Sequence, residues 1–344
     1  MFKNLAKEIK ILINFIPKRE QDVINRRFGL FNKKQETLES IGRFYGITRE
    51  RVRQIQDHGI HSLKNKILPS NVKFQKNIES IDQKIEELGG VANEENFLKQ
   101  LQQKDEDKNY LRLLFVLNKN LSFLKEDDKF FPRWAILKKK EDVLKIEAAL
   151  NSLIDSMSND IALSFEEVIN KFKNNLQTIF GGGFNYSKAI ICSWFGISKF
   201  LNQNIFGEWG LATSYFINPK GVRDYAYLSM RRHGSPMHFK EVAAAIQSNF
   251  SKPAHIQTVH NELIKDQRFV LVGRGLYALK EWGYISGTVR DVIYHILSNN
   301  PKISKEELIK RILKERHVQP TTITINLQNR KFFKKFPDGT YGMV

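Results

Sequence analysis

Thr37-Leu-Glu-Ser-Ile-Gly-Arg-Phe-Tyr-Gly-Ile-Thr-Arg-Glu-Arg-Val-Arg-Gln-Ile55 is the stretch on which the fold turns. Its apolar spacing predicts a short helix over 38–44, a turn at Tyr45-Gly46-Ile47 and a second helix from Arg49 onward. Gly46 suits a backbone position with positive φ, where a Cβ would clash. Thr48 is a helix N-cap, because its hydroxyl can accept an orphan backbone N–H. Leu38, Ile41, Phe44, Ile47, Val52 and Ile55 are expected to share one core, with Arg49, Glu50, Arg53 and Gln54 on the opposite, exposed side. Two short helices joined in this way form a helix-turn-helix, whose second helix lays its N-terminal residues on base edges in the DNA major groove. An ordinary helical hairpin with a solvated charged face has the same pattern.

The residues on either side narrow the choice. Arg19-Glu20, Arg26-Arg27-Phe28-Gly29-Leu30, Thr37-Leu38-Glu39, Ile41-Gly42 and Thr48-Arg49-Glu50-Arg51-Val52-Arg53-Gln54-Ile55 closely resemble region 4 of the sigma-70 family of bacterial sigma factors. The resemblance covers about a fifth of the chain. It implies a domain that reads the minus-thirty-five element of a promoter in double-stranded DNA and docks on the flap of RNA polymerase. Matched position by position, the base readers are Arg49, Glu50, Arg53 and Gln54, while Arg51 and Thr48 take phosphate contact and capping. The chemistry agrees: Arg bonds guanine bidentately, Gln does the same to adenine, and Glu accepts from cytosine N4. His58 stands where the family usually carries Lys, which makes that phosphate contact weaker near neutral pH. Region 4 normally closes a sigma factor and here it opens the chain, with no counterpart of the promoter-melting and clamp-binding segments.

The chain has 344 residues, enough for several domains, and is 41% apolar and 27% charged, a globular composition. It has no apolar run long enough to span a membrane. Its start lacks the apolar core and cleavage site of a signal peptide. Cys192 is the single cysteine, so neither an internal disulfide nor a cysteine-rich zinc module is expected. These features point to a cytoplasmic protein, and the resemblance to sigma factors implies a bacterial, nucleoid-associated one. The formal net charge is +18, which favours a polyanionic partner. Its placement is more telling. Residues 1–68 hold 15 basic and 7 acidic side chains, residues 221–283 hold 9 and 5, and residues 284–344 hold 11 and 5. Residues 69–220 hold 20 of each. Phosphate-binding surface is therefore expected at the two ends and not in the middle.

Along the chain, residues 2–15 read as an amphipathic helix with Leu5, Ile9, Leu12 and Ile13 on one side, and Pro17 opens a second helix that ends at Gly29. The helix from Arg49 continues to about Ile67, where Pro69 stops it. Beyond it a shape repeats: amphipathic helices, then an aromatic-rich strand, a turn and a second strand. The second strands carry Trp134, Trp209, Tyr277 and Tyr341, at near-regular intervals. Helices followed by such hairpins are winged helices, and the spacing predicts four of them in tandem. The predicted fold is mainly α with small β-wings: a region 4-like helical domain at 1–69, winged-helix-like units at 70–140 and 141–220, a further helix-turn-helix unit at 221–283 and a C-terminal winged-helix-like unit at 284–344.

The unit at 221–283 ends in Phe269-Val-Leu-Val-Gly-Arg-Gly-Leu-Tyr-Ala-Leu279. With the helices before it, residues 236–282 resemble the HARE-type helix-turn-helix domain, which also forms the folded part of the RNA polymerase delta subunit. That resemblance implies fold more than task, since relatives bind either DNA or polymerase. In the last unit Ser304 is expected to cap a helix with Glu307 at the capping-box position, and the segment from Pro320 would be its recognition helix if the unit is a winged helix. Arg330, Lys331, Lys334 and Lys335 flank the wing strands and are candidate phosphate clamps, or else a solvated surface. The neutral middle is read as a spacer or a protein-binding segment, with helices in Phe165-Glu-Glu-Val-Ile-Asn-Lys-Phe172 and Tyr186-Ser-Lys-Ala-Ile-Ile-Cys-Ser-Trp-Phe195.

Catalytic signatures are absent. Gly181-Gly-Gly183 is followed by no Gly-Lys-Ser/Thr and reads as a loop, and His58 and His61 have no further metal ligands at suitable spacing. Cys192 lies in an apolar helix and reads as core. No enzyme, cofactor, metal or small-molecule substrate is expected. The expectation is a sequence-specific DNA-binding transcription regulator acting with RNA polymerase at initiation. The alternative is a delta-subunit-like polymerase accessory protein with incidental DNA binding.

Overall fold

The computed structural model describes residues 5–31, 33–67, 72–101, 107–182 and 186–344. These form two compact units: Met1–Gln203 with Gly207–Ala212, and Asn204–Phe206 with Thr213–Val344. Both are mainly helical with small antiparallel sheets, and the helices followed by hairpins are winged-helix-like.

The first unit opens with α1 (Leu5–Ile13), α2 (Lys18–Phe28), α3 (Leu38–Tyr45) and α4 (Arg49–Ser62), the last running into a π-helical turn at Leu63–Ile67. The expected stop at Pro69 lies outside the described residues. Pro17 sits one residue ahead of α2 as its N-cap, and Gly29 ends that helix at φ 66°. Leu5, Ile9, Leu12 and Ile13 repeat at helical spacing and are all buried. They join a core that continues through α5 (Val72–Glu87), β1 (Val91–Asn93), α6 (Glu94–Leu101), α7 (Asp107–Leu117), β2 (Leu121–Leu124) and β3 (Arg133–Ile136). Polar contacts run along the same seam. The Asn109 amide donates to the Gly29 carbonyl at 3.0 Å, and the Tyr110 hydroxyl accepts from the Phe31 N–H at 3.0 Å.

The sheet order is β1-β3-β2, with Trp134 opposite both Ala92 and Phe123. Its indole is buried, 5.6 Å from the Phe115 ring and 4.9 Å from the Phe123 ring. A second core gathers α8 (Lys140–Asp155), α9 (Phe165–Phe180), α10 (Lys188–Phe195), β4 (Leu201–Gln203) and β5 (Trp209–Leu211). Trp209 on β5 faces Gln203 in the ladder and packs 5.0 Å from the Phe195 ring. The aromatic of the returning strand thus pins each wing to its helices, since one large ring contributes a few kcal/mol of burial where a three-residue strand contributes little by itself. Gly181 closes α9 at φ 73°, as a loop residue should. Gly183 lies outside the described residues. Cys192 is only half-buried, and burial pushes its thiol pKa up.

The second unit contains α11 (Val222–His233), β6 (Met237–His238), α12 (Phe239–Phe250), α13 (Ile256–Lys265), β7 (Phe269–Gly273) and β8 (Leu276–Leu279), with sheet order β6-β8-β7. Tyr277 on the central strand is buried between Met237 and Leu271. Gly275, at φ 68°, allows His238 to approach where a Cβ would lie 2.7 Å from its Nε2. After these come α14 (Val289–Asn299), α15 (Lys305–Glu315), α16 (Pro320–Leu327), β9 (Phe333–Lys335) and β10 (Tyr341–Met343) around their own core. Ser304 accepts from the Glu307 N–H at 3.3 Å, but the Glu307 carboxylate bonds Arg311 at 2.8 Å instead of closing the capping box. Within residues 284–344 a complete box is formed by Thr288 and Asp291 at the start of α14.

Candidate nucleic-acid interface

The site begins with the caps. Thr37 accepts from the Ser40 N–H at 3.1 Å and starts α3. Gly46, at φ 63°, ends it, and the Ile47 N–H returns to the Gly42 carbonyl at 3.0 Å. Thr48 then accepts from the Arg51 N–H at 3.2 Å and starts α4. The two helices touch closely at Gly42, where a Cβ would stand 2.7 Å from the Ile47 carbonyl oxygen. Val23, Ile41 and Val52 form the buried centre, with Leu38, Tyr45, Ile47 and Ile55 packed around it.

Phe44 does not belong to that core. It is 60% exposed, and its ring lies under the Arg26 guanidinium, 3.8 Å from Cζ to centroid. The eight-residue helix turns Ile41 and Tyr45 inward, and Phe44 falls on the other side of the same turn. An ion-pair network holds α2 to this motif. Asp22 accepts from Arg26 at 2.7 Å, from the Tyr45 hydroxyl at 2.5 Å and from Lys33. Burial pushes the Asp22 carboxyl up, but hydrogen bonds from Lys33, Tyr45 and Arg26 outweigh it and bring its pKa down to about 2. Arg26 also bonds Glu36 at 2.9 Å.

The outer face of α4 carries Arg49, Glu50, Arg51, Arg53, Gln54, Asp57 and His58, all exposed. Arg53 forks onto Glu50 at 2.6 and 2.9 Å and reaches Asp57 at 2.7 Å. The Arg53 bond lowers the Glu50 pKa, and Glu50 raises that of Arg53. Arg51 donates to the Gln54 amide oxygen at 3.0 Å. His58 bonds Glu20 of α2 at 2.9 Å, with 68% of its side chain still exposed, while Glu20 itself is buried. Thr48, Arg49, Glu50, Arg51, Arg53, Gln54 and His58 therefore lie along one helix and its cap. The Asp57 brace on Arg53 carries no motif of its own in the sequence and is legible there only as the ordinary helical pairing distance of four residues.

The remaining candidates lie in the second unit. Arg330 and Lys331 occupy the turn after α16, and Lys334 and Lys335 point outward from β9, all four exposed. Lys302 and Lys334 lie 4.8 and 5.1 Å from the Phe336 ring centroid, and Lys302 had no sequence signal beyond its charge. Among the described residues no group of three or more His, Cys, Asp or Glu side chains could hold a metal ion. No helix there is long and apolar enough to cross a membrane.

A compact, doubly capped helix pair with a charged outer helix defines a helix-turn-helix domain. Residues 12–65 match the family model for Sigma-70, region 4, so the chain carries that domain. It is similar to RNA polymerase sigma factor SigA of Listeria monocytogenes and of Listeria innocua, each 34% identical over 64 residues. It is also similar to RNA polymerase sigma factor SigA of a Bacillus species, 33% identical over 64 residues. Each match covers 19% of this chain, and the chain spans 17% of the length of these relatives.

Proposed function

We propose that this protein is a non-enzymatic, sequence-specific DNA-binding transcription regulator that works with RNA polymerase at initiation, in the bacterial cytoplasm. Arg49, Glu50, Arg53 and Gln54 read base edges of a minus-thirty-five-like hexamer, and Arg51 with the Thr48 cap fixes the helix on the backbone. Arg330, Lys331, Lys334 and Lys335 add phosphate contacts. The observation that carries this reading is the exposed polar face of α4 on a region 4 domain whose caps and core are complete. Genomic footprinting with and without RNA polymerase tests it. Protected sites should share a promoter-like hexamer, and an Arg53→Ala/Gln54→Ala double variant should lose it. Protection with no common sequence would overturn the reading.

A second reading is a polymerase-binding accessory protein resembling the delta subunit through its HARE-like unit. It is favoured by Ile256, Ile264 and Leu271, three exposed apolar side chains on α13 and β7 that suit a protein contact better than a phosphate. Capture of core polymerase without DNA, undiminished by Arg53→Ala/Gln54→Ala and lost with Ile264→Asp on the exposed face of α13, would select it.

A further inference from the structure

α16 shows two unlike faces. Ile323 and Leu327 are buried in the core of its unit. Thr321, Thr324, Ile325 and Gln328 follow at i, i+3, i+4 and i+7, so they form one stripe on the opposite side. Thr321, Ile325 and Gln328 are exposed, and Ile325 is bare to 66%. The Thr324 hydroxyl is committed to the Pro320 carbonyl at 3.1 Å. The stripe is thus mostly hydroxyl and amide, with one large branched apolar side chain at its centre.

The surroundings identify what such a stripe would meet. From Pro320 to Val344 the basic residues are Arg330, Lys331, Lys334 and Lys335, and the only acidic one is Asp338. Asp338 accepts from the Thr340 N–H at 3.0 Å and from its hydroxyl at 2.6 Å. Among the described residues, none of the four cations forms an ion pair with a carboxylate. Uncompensated cations following a slim polar helix match the arrangement of a base-reading element flanked by phosphate grips. An aliphatic side chain there has a specific counterpart in DNA, the C5-methyl group of thymine, while Gln can pair with adenine at N6 and N7.

We propose that α16 is a second base-reading helix, selective for thymine methyl groups through Ile325 and for a neighbouring adenine through Gln328, with residues 330–335 holding the phosphates. The proposal rests on the reading above only in taking duplex DNA as the partner. It needs neither polymerase nor a hexamer read by α4.

The test uses the full chain carrying Arg53→Ala/Gln54→Ala, so that remaining sequence preference comes from elsewhere. This protein is used to select duplexes from a random pool, and the winning duplex is rebuilt with deoxyuridine for thymine. A selected T/A-containing motif is expected, with binding weakened about fivefold or more by deoxyuridine. Ile325→Ala should abolish that discrimination, Ile325→Val should largely keep it, and neither should change the melting temperature by more than a degree or two, since Ile325 is 66% exposed. Lys334→Gln/Lys335→Gln should make the slope of log K against log salt shallower by about two while leaving the thymine preference intact. Loss of salt dependence without any thymine discrimination would reduce this surface to a phosphate clamp and overturn the proposal. So would the absence of any selected motif, or an Ile325→Ala defect confined to polymerase capture. Failure of α4 as a reader would show separately, as an unchanged hexamer preference in the double variant.

Discussion

The Arg26 guanidinium lies over the face of the Phe44 ring, 3.8 Å from its centroid, and so joins α2 to the outer side of α3. Ile41, one turn earlier, is wholly buried against Val23 and Val52. The two residues look alike in the sequence and differ sharply in energetics. Phe44→Ala should cost less than about 1 kcal/mol, the scale of an exposed cation–π contact. Ile41→Ala should cost about 2–4 kcal/mol through lost burial and a cavity. Urea denaturation of both variants checks this. A Phe44→Ala loss as large as that of Ile41→Ala would place Phe44 in the core after all.

Gly42 and Gly46 should respond in opposite ways to added side chains. A Cβ at Gly42 meets a backbone carbonyl at 2.7 Å, so Gly42→Ala forces α3 and α4 apart and should both destabilise the domain and weaken DNA binding. Gly46 has open space and needs only positive φ. Gly46→Asn should therefore be well tolerated and Gly46→Val much less so, because Asn visits the left-handed region readily and a β-branched residue does not. Thermal melts of the three variants distinguish space from backbone conformation.

Asp22 makes the first unit acid-sensitive. Its folded pKa of about 2 lies below the ordinary value near 3.9, so its stabilising contribution is fully present above about pH 4. That contribution is lost as pH falls from 4 through 2, when the carboxylate bonded to Arg26, Lys33 and Tyr45 becomes protonated. Asp22→Asn should lower stability at pH 7 and give a shallower loss between pH 4 and pH 2. Denaturation curves at several pH values for both proteins measure the difference, and parallel curves would show that the network carries no linkage.

On the proposed base-reading role, Arg53 would have to leave Glu50 and Asp57 to reach a guanine. Arg53→Ala or Gln54→Ala should relax preference at the matched base by roughly tenfold. Asp57→Asn should instead strengthen binding to all sequences, because it removes a competing anion and a like-charge neighbour of the phosphates. Competition binding against single-base variants of the site separates the two effects. Weaker binding by Asp57→Asn would mean that the brace positions Arg53 and does not restrain it.

The local elements of this protein are written in short-range chemistry. Thr48 as a cap, the left-handed Gly29 and Gly46, the outward row of Arg49, Glu50, Arg53 and Gln54 and the four aromatic-bearing hairpins all depend on residues within about fifteen positions of each other. Spacing and side-chain type therefore determined them without reference to the rest of the chain. Contacts made across long separations were decided only in the folded structure. Phe44 has the periodicity of a core residue, yet burial depends on which neighbours arrive, and Arg26 arrives where apolar packing was expected. His58 finds a carboxylate on α2, 38 positions away, and the helices at the start of the chain share their core with α5–α7. Helical period limits which side chains share a face, but only the packing of distant segments determines whether that face meets a core, an ion or water.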